Sequence, residues 1–437
     1  MDRAGAEPGA LPRVNDVAHP LPCEEDTMTA PAEAANEGAL PEFPLRRACP
    51  FSPPAAYAEL RENEPVSRAQ LKVNGKPTWL VTRHDLYKKL LGDARVSANL
   101  KLPGYPLQVP VPEETLQSVP LTFLSMDPPD HTVQRRMLAP EFSVRRMREL
   151  RARVQELVDQ QIDDMLAKGC DSPVDLVTAL ALPVPSLVIC ELLGVPYEDH
   201  ARFEQWAWAI MNHEVSDEDR GMAHYELDRY VDGLVTAKES EPGDDMISRL
   251  IAFNRETPAV EHSDIVSMSK LMLVTGHETT ANMIALGVLA LLEHPEQLAA
   301  VREEPELMPG AVDELLRLFS ISDAGTARVA MEDIELGGVT IRAGDGILPL
   351  NNAANHDEQV FPDADRLDVR REARSHVAFG YGVHQCVGQN LARMELDVVY
   401  STLLRRIPTL RLATPAEELR FKDDAIVWGL YELPVAW

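Results

Sequence analysis

The sequence predicts a mainly α protein with a smaller β portion, built as one large domain. Three observations carry this. Residues 145–166 and 264–293 hold long runs of helical periodicity. Strand signals are few and short. No linker and no internal repeat interrupts the body of the chain, whose 437 residues can bury a large core.

The elements follow in order. Residues 1–44 carry seven prolines and many Ala, Glu and Asp, a composition that reads as a disordered leader before a folded domain over 45–437. Met28 offers an alternative start of translation. Ordered structure is expected from near Cys49-Pro50-Phe51. Residues 79–82 read as a strand, followed by a helix over 86–91. Residues 98–124, rich in Pro and Leu without periodicity, predict a long loop of the kind that is functional or mobile. A helix covers 145–166, and another covers 185–193, ended by Gly194-Val195-Pro196. The 264–293 helix would be about 45 Å long, enough to cross a whole domain. His294-Pro295 ends it and starts the next helix. Residues 334–341 form a hairpin turning at Gly337-Gly338. The last long helix runs over 389–404.

Composition excludes several classes. The formal net charge is −28, which argues against nucleic-acid binding, because phosphate needs a basic footprint. Five cysteines, scattered and without a CxxC pair, predict neither a disulfide framework nor a zinc ribbon. No apolar run is long enough for a membrane span or signal peptide. A soluble, cytoplasmic protein is expected.

The densest chemistry lies in Phe379-Gly380-Tyr381-Gly382-Val383-His384-Gln385-Cys386-Val387-Gly388, just before the last helix. Glycines allow backbone angles and close approaches that other residues forbid. A cysteine at a helix start meets free N–H groups and the positive end of the dipole, and both stabilise a thiolate. Such a thiolate, in a glycine loop beside an aromatic ring, suits axial ligation of haem iron. A lone cysteine would instead read as a buried residue in a tight turn. At the middle of the long helix stand Thr275-Gly276-His277-Glu278-Thr279-Thr280. Buried polar groups cost free energy unless satisfied, and a central glycine costs about 1 kcal/mol relative to alanine. The segment therefore predicts a polar notch, although threonine hydroxyls can also bond back to carbonyls four residues earlier. Glu314 and Arg317 share one helix face at i, i+3.

Together these motifs resemble the cytochrome P-450 haem-thiolate monooxygenases, over roughly residue 45 to the C-terminus and in that family's order. The resemblance implies a cytochrome P-450-like fold around a buried haem b, with the long helix at its centre. It makes Cys386 the axial ligand of the iron, with Phe379, Gly380, Gly382, Gly388 and Gly276 lining the cofactor. It makes Glu278 the acid and Thr279 the alcohol of a proton relay to oxygen. Thr275 stands where the family usually has alanine. Glu314 and Arg317 become structural, pairing with a later arginine matched to Arg366. His131, Arg135, Arg328 and His384 become ligands of the haem propionates. Val274, Thr275, Ile321 and Ala324 are expected around the substrate pocket.

The implied reaction is insertion of one O₂-derived oxygen, by hydroxylation or epoxidation, into a hydrophobic small molecule such as a macrolide or other polyketide. Segments near 181–197 and the C-terminus resemble the branch acting in antibiotic and secondary-metabolite biosynthesis. Electrons would come from NAD(P)H through a reductase and a ferredoxin. Between Arg135 and Arg153 stand seven arginines and only two acids, so an acidic ferredoxin is expected to dock there. Relatives that reduce nitric oxide or use peroxide lack or replace the acid–alcohol pair, so Glu278-Thr279 favours oxygen activation. A haem sensor or carrier should couple to an output segment, and none is visible.

Overall fold

The computed structural model describes residues 40–437, apart from residues 46, 48, 50, 197–198, 212–214, 324 and 423–426. The leader through residue 39, Met28 and Ala324 lie outside the described residues. Ordered structure begins before residue 45, because β1 (Glu42–Phe43) already pairs in parallel with β2 (Val66–Leu71) and buries Phe43.

Fourteen helices are seen among the described residues. They are α1 (Ala56–Asn63), α2 (His84–Leu91), α3 (Glu113–Ser118), α4 (Asp130–Leu138), α5 (Val144–Lys168), α6 (Pro183–Leu193) and α7 (His200–Met211), then α8 (Asp217–Ser240), α9 (Met246–Glu256), α10 (His262–Glu293), α11 (Pro295–Glu303), α12 (Met308–Phe319), α13 (Asn351–Asn355) and α14 (Gln389–Arg406). The remaining strands are β3 (Pro77–Val81), β4 (Val96–Ser97), β5 (Val174–Asp175), β6 (Arg328–Ala330), β7 (Ile334–Leu336), β8 (Val339–Ile341), β9 (Gly346–Pro349), β10 (Arg411–Leu412) and β11 (Pro434–Ala436). A six-stranded sheet runs β1-β2-β3-β9-β6-β4, a three-stranded sheet β10-β11-β5, and β7-β8 form the expected hairpin. Gly337 and Gly338 supply its two positive φ angles, 58° and 85°. The expected long loop over 98–124 holds one short helix, α3, where Glu113 and Glu114 occupy the favourable first turn.

The helices pack around α10. It opens with a capping box between Glu261 and Asp264, and runs 32 residues. From Thr280 to Leu291 every residue is buried, so this half of the helix is apolar all round because protein surrounds it. Gly287 lets α14 close on α10: a Cβ there would lie 2.1 Å from the Tyr400 hydroxyl, which donates to the Met283 carbonyl at 2.5 Å. α6 is fixed at its end by Gly194 in the left-handed region, φ 66°. Cys170 and Cys386 are free thiols, whereas Cys49 is disulfide-bonded. Among the described residues no single helix is long and apolar enough to cross a membrane.

Candidate active site

Cys386 sits between a turn of 3₁₀ helix and the start of α14. Its N–H donates to the Phe379 carbonyl at 2.8 Å, which closes the loop. Gly382 (φ 75°) is required there, because a Cβ would lie 2.4 Å from the Leu91 carbonyl at the end of α2. Gly380 also has positive φ, 71°. Gly388 is different: a Cβ would meet no protein atom within 4 Å, so the protein's own packing does not demand it. Burial pushes the Cys386 thiol up, while the N–H groups of Gly388 and Gln389 and the charges of Arg135 and Arg393 oppose that shift. By accessible area the residue is nonetheless exposed. A side chain ringed by protein but open to solvent lines an internal recess, and this reconciles the two facts.

Around the loop the structure gathers four groups from three distant segments. The His131 and His384 rings lie 4.3 Å apart. His131 is 2% exposed, yet among the described residues neither of its ring nitrogens has a hydrogen-bond partner. Arg135, one turn along α4, donates to the Gln385 carbonyl. Arg328 is buried on β6 and donates to the Ala327 carbonyl at 2.7 Å. Burial lowers the His131 pKa, and Arg135 and Arg328 lower it further. His384 is pushed down to about 3 by burial, then by Arg328, His131 and Arg135. Cations and donors gathered this closely suit an anionic ligand, although Asp127 already answers part of the charge at His131 and Arg328. A haem with two propionates fits these residues, with Cys386 supplying the anionic iron ligand.

A further network backs the loop, and no local motif announced it. Asp313 of α12 accepts from Arg393 Nε at 2.7 Å and pairs with His376 at 3.3 Å. Arg393 also donates to Gln389 Oε1 at 2.9 Å and lies 4.6 Å over the Phe379 ring. One arginine thus ties both ends of the cysteine loop to α12.

Next to it lies the expected Glu314–Arg317 pair, fully buried, with Arg317 Nε 2.7 Å from Glu314 Oε2. The matched third partner is corrected. Arg366 is exposed, and only its carbonyl faces Arg317, at 3.5 Å. The arginine that reaches Glu314 is Arg371, with Nε at 3.0 Å. The physical reason is the turn over 368–371: the Asp368 N–H donates to Glu314 at 3.1 Å and Arg371 N–H to the Asp368 carbonyl, so the chain delivers the later side chain.

On α10 the three threonines all bond back one turn. Thr275 donates to Leu271 O at 2.7 Å, Thr279 to Thr275 O at 2.9 Å, and Thr280 to Gly276 O at 3.3 Å. Thr275 and Thr279 are only partly buried and share one face. Gly276 also serves helix packing: its absent Cβ would point at Ile189 of α6, 3.1 Å away. Glu278 is buried and accepts from Lys422 Nζ at 2.5 Å, a partner that no sequence pattern indicated. Burial raises the Glu278 pKa, but Lys422, with smaller help from His277 and Asn282, outweighs it and holds the carboxyl below the usual range. Val274 is buried, and the Ile321 carbonyl accepts from Trp428 N at 2.8 Å.

Comparison with known proteins adds lineage to this geometry. The family model described as cytochrome P450 matches residues 223–411. Pentalenic acid synthase of Streptomyces avermitilis is 46% identical, over 94% of this chain and all of the relative. The 20-oxo-5-O-mycaminosyltylactone 23-monooxygenase of Streptomyces fradiae is 45% identical, over 93% of this chain and 94% of the relative. The crystal structure of cytochrome P450 MoxA from Nonomuraea recticatena is 51% identical, with a TM-score of 0.84 over 91% of this chain and 98% of that one.

Proposed function

Because the chain belongs to the cytochrome P450 family and is a haem monooxygenase of that type, we propose that it oxidises a hydrophobic secondary metabolite of the macrolide or polyketide kind. One relative's name, a monooxygenase acting on a mycaminosyl tylactone, supports the macrolide class, and the name pentalenic acid synthase supports a secondary-metabolite substrate more broadly. The observation that carries the site assignment is the convergence of His131, Arg135, Arg328 and His384 beside Cys386. Screening hydrophobic macrolides for binding and product formation tests the substrate class, and inactivity toward all of them would refute it.

When bound, haem supplies the oxygen activation and the electron chemistry. The protein's share is positional. Arg135 and Arg328, with His131 and His384, hold the propionates. The N–H groups of Gly388 and Gln389 would favour the charged form of Cys386 once iron is bound. Thr279 spends its proton on the Thr275 carbonyl, so its oxygen lone pairs remain free to accept from water or from a proton donor in the pocket. Glu278, the adjacent acid, passes protons toward that hydroxyl. Glu278→Gln and Thr279→Ala should each lower product formation about 10²-fold, within the usual range for a lost acid–base group. Consumption of NAD(P)H should fall far less, giving a poor ratio of product to electrons. An unchanged ratio in both variants would remove the relay.

An acidic ferredoxin is proposed to dock over residues 135–153. The charges there are not equivalent. Arg145 and Arg146 share Glu149, Arg151 meets Asp397, and Arg153 meets Glu156 and Glu191. Arg136 and Arg148 are exposed, and among the described residues no acid pairs with them. Reversing Arg136 and Arg148 to Glu should therefore slow reduction by ferredoxin more than reversing Arg145 and Arg146, and should flatten its salt dependence. Stopped-flow reduction at several ionic strengths measures this; equal rates in all variants would place the partner elsewhere.

A further inference from the structure

Glu278 has a partner that a proton donor would not choose for itself. Lys422 Nζ lies 2.5 Å from Glu278 Oε1 and 3.0 Å from Asn282 Oδ1, one turn further along α10. Asn282 Nδ2 completes the triangle, 3.4 Å from the same carboxyl oxygen. The triangle is shut in. The side chains of Lys422 and Glu278 keep only 12% and 10% of their accessible surface. The Gly429 backbone presses on Asn282 so closely that a Cβ would come within 2.0 Å of Oδ1.

The segment that carries Lys422 is itself pinned. The Lys422 N–H donates to Gly429 O at 2.9 Å, and the Trp428 N–H to Ile321 O at 2.8 Å. The Phe421 and Trp428 rings stack at 5.5 Å. Of the charged or titratable groups around Glu278, Lys422 acts most strongly and His277, on the same helix, less. His277 turns back to Leu273 O at 3.1 Å and packs edge-on against Phe203 of α7.

A buried carboxyl without a cation would take up a proton. An ammonium at contact distance reverses that and favours the anion. We infer that Lys422 is a positioning residue for the catalytic acid, holding Glu278 ionised and tied to the C-terminal segment, so that the acid loads a proton only when the pair parts. This rests on Glu278 being the acid of the relay. It adds that the charge state of that acid is set by Lys422, 144 residues away.

Infrared difference spectroscopy of the holoenzyme reads the carboxyl directly, without turnover. Lys422→Met and Lys422→Gln should each show a protonated carboxyl band at neutral pH that vanishes when Glu278→Gln is added. The midpoint of that band should sit about one to three pH units above that of the unsubstituted protein. The pH profile of product formation should move alkaline with it. Lys422→Arg, which keeps the charge, should show neither change. An intact carbon monoxide difference spectrum identifies variants that still fold around haem. No carboxyl band in either Lys422→Met or Lys422→Gln would overturn the inference, as would a protonated Glu278 in the unsubstituted protein at neutral pH. Should Lys422→Met and Lys422→Gln both fail to fold, a protonated band in Lys422→Arg would overturn it and wild-type behaviour there would support it. Failure of the relay reading looks different: Glu278→Gln would then turn over normally, whatever the infrared band reports.

Discussion

Cys386→Ser should abolish the strongly red-shifted Soret band of the dithionite-reduced protein under carbon monoxide, and product formation should fall below detection. The site is built to hold an anionic sulfur. The N–H groups of Gly388 and Gln389 point at it, and Arg135 and Arg393 add positive charge against the desolvation that opposes ionisation. A serine hydroxyl in the same cradle stays neutral at pH 7, so it can neither balance the metal charge nor donate electron density as a thiolate does. Cys170→Ser and Cys190→Ser are the controls, since both cysteines lie outside the loop. Their spectra should match the unsubstituted protein. A band that survives Cys386→Ser would assign the ligand to another residue and take the oxygenase mechanism with it.

The largest loss of stability should come from Glu314→Ala. Glu314 and Arg317 have no accessible side-chain surface, and Glu314 also receives Arg371 and the Asp368 N–H. Removing the carboxylate strands two guanidinium groups, one of them wholly buried. Breaking a buried pair in this way costs about 3–5 kcal/mol. Arg317 still has the Asn355 carbonyl at 2.8 Å, which cannot neutralise it. Arg371→Ala should cost less, about 1–3 kcal/mol, since it removes a charged hydrogen bond but leaves the inner pair intact. Arg366→Ala should be nearly neutral, because its exposed side chain is not what Arg317 meets. Denaturant unfolding of the three variants gives the order. Equal losses for Arg366→Ala and Arg371→Ala would contradict the geometry.

Much of the site was legible in the chain because its chemistry is local. The glycine–aromatic–cysteine loop must close over ten residues, so its glycines and its helix start are written next to one another. The long helix, the Gly337-Gly338 turn and the Glu314–Arg317 spacing are likewise short-range, set by backbone sterics and helical period. Gly276 shows the limit even there. Nothing in its local pattern showed that the space it vacates is filled by Ile189 from another helix.

The sequence by itself determined the helical class, the closed glycine–cysteine loop and the buried glutamate–arginine unit, since each depends on neighbours within a turn or two. Only the tertiary structure decided that Arg371 rather than Arg366 completes that unit, 57 residues from Glu314. It alone brought the His131 ring beside that of His384 and seated Lys422 on Glu278. Such contacts follow from the path of the whole chain. An arginine or lysine carries the same charge at every position, and burial against one particular partner is what turns that charge into a ligand, a brace or a latch.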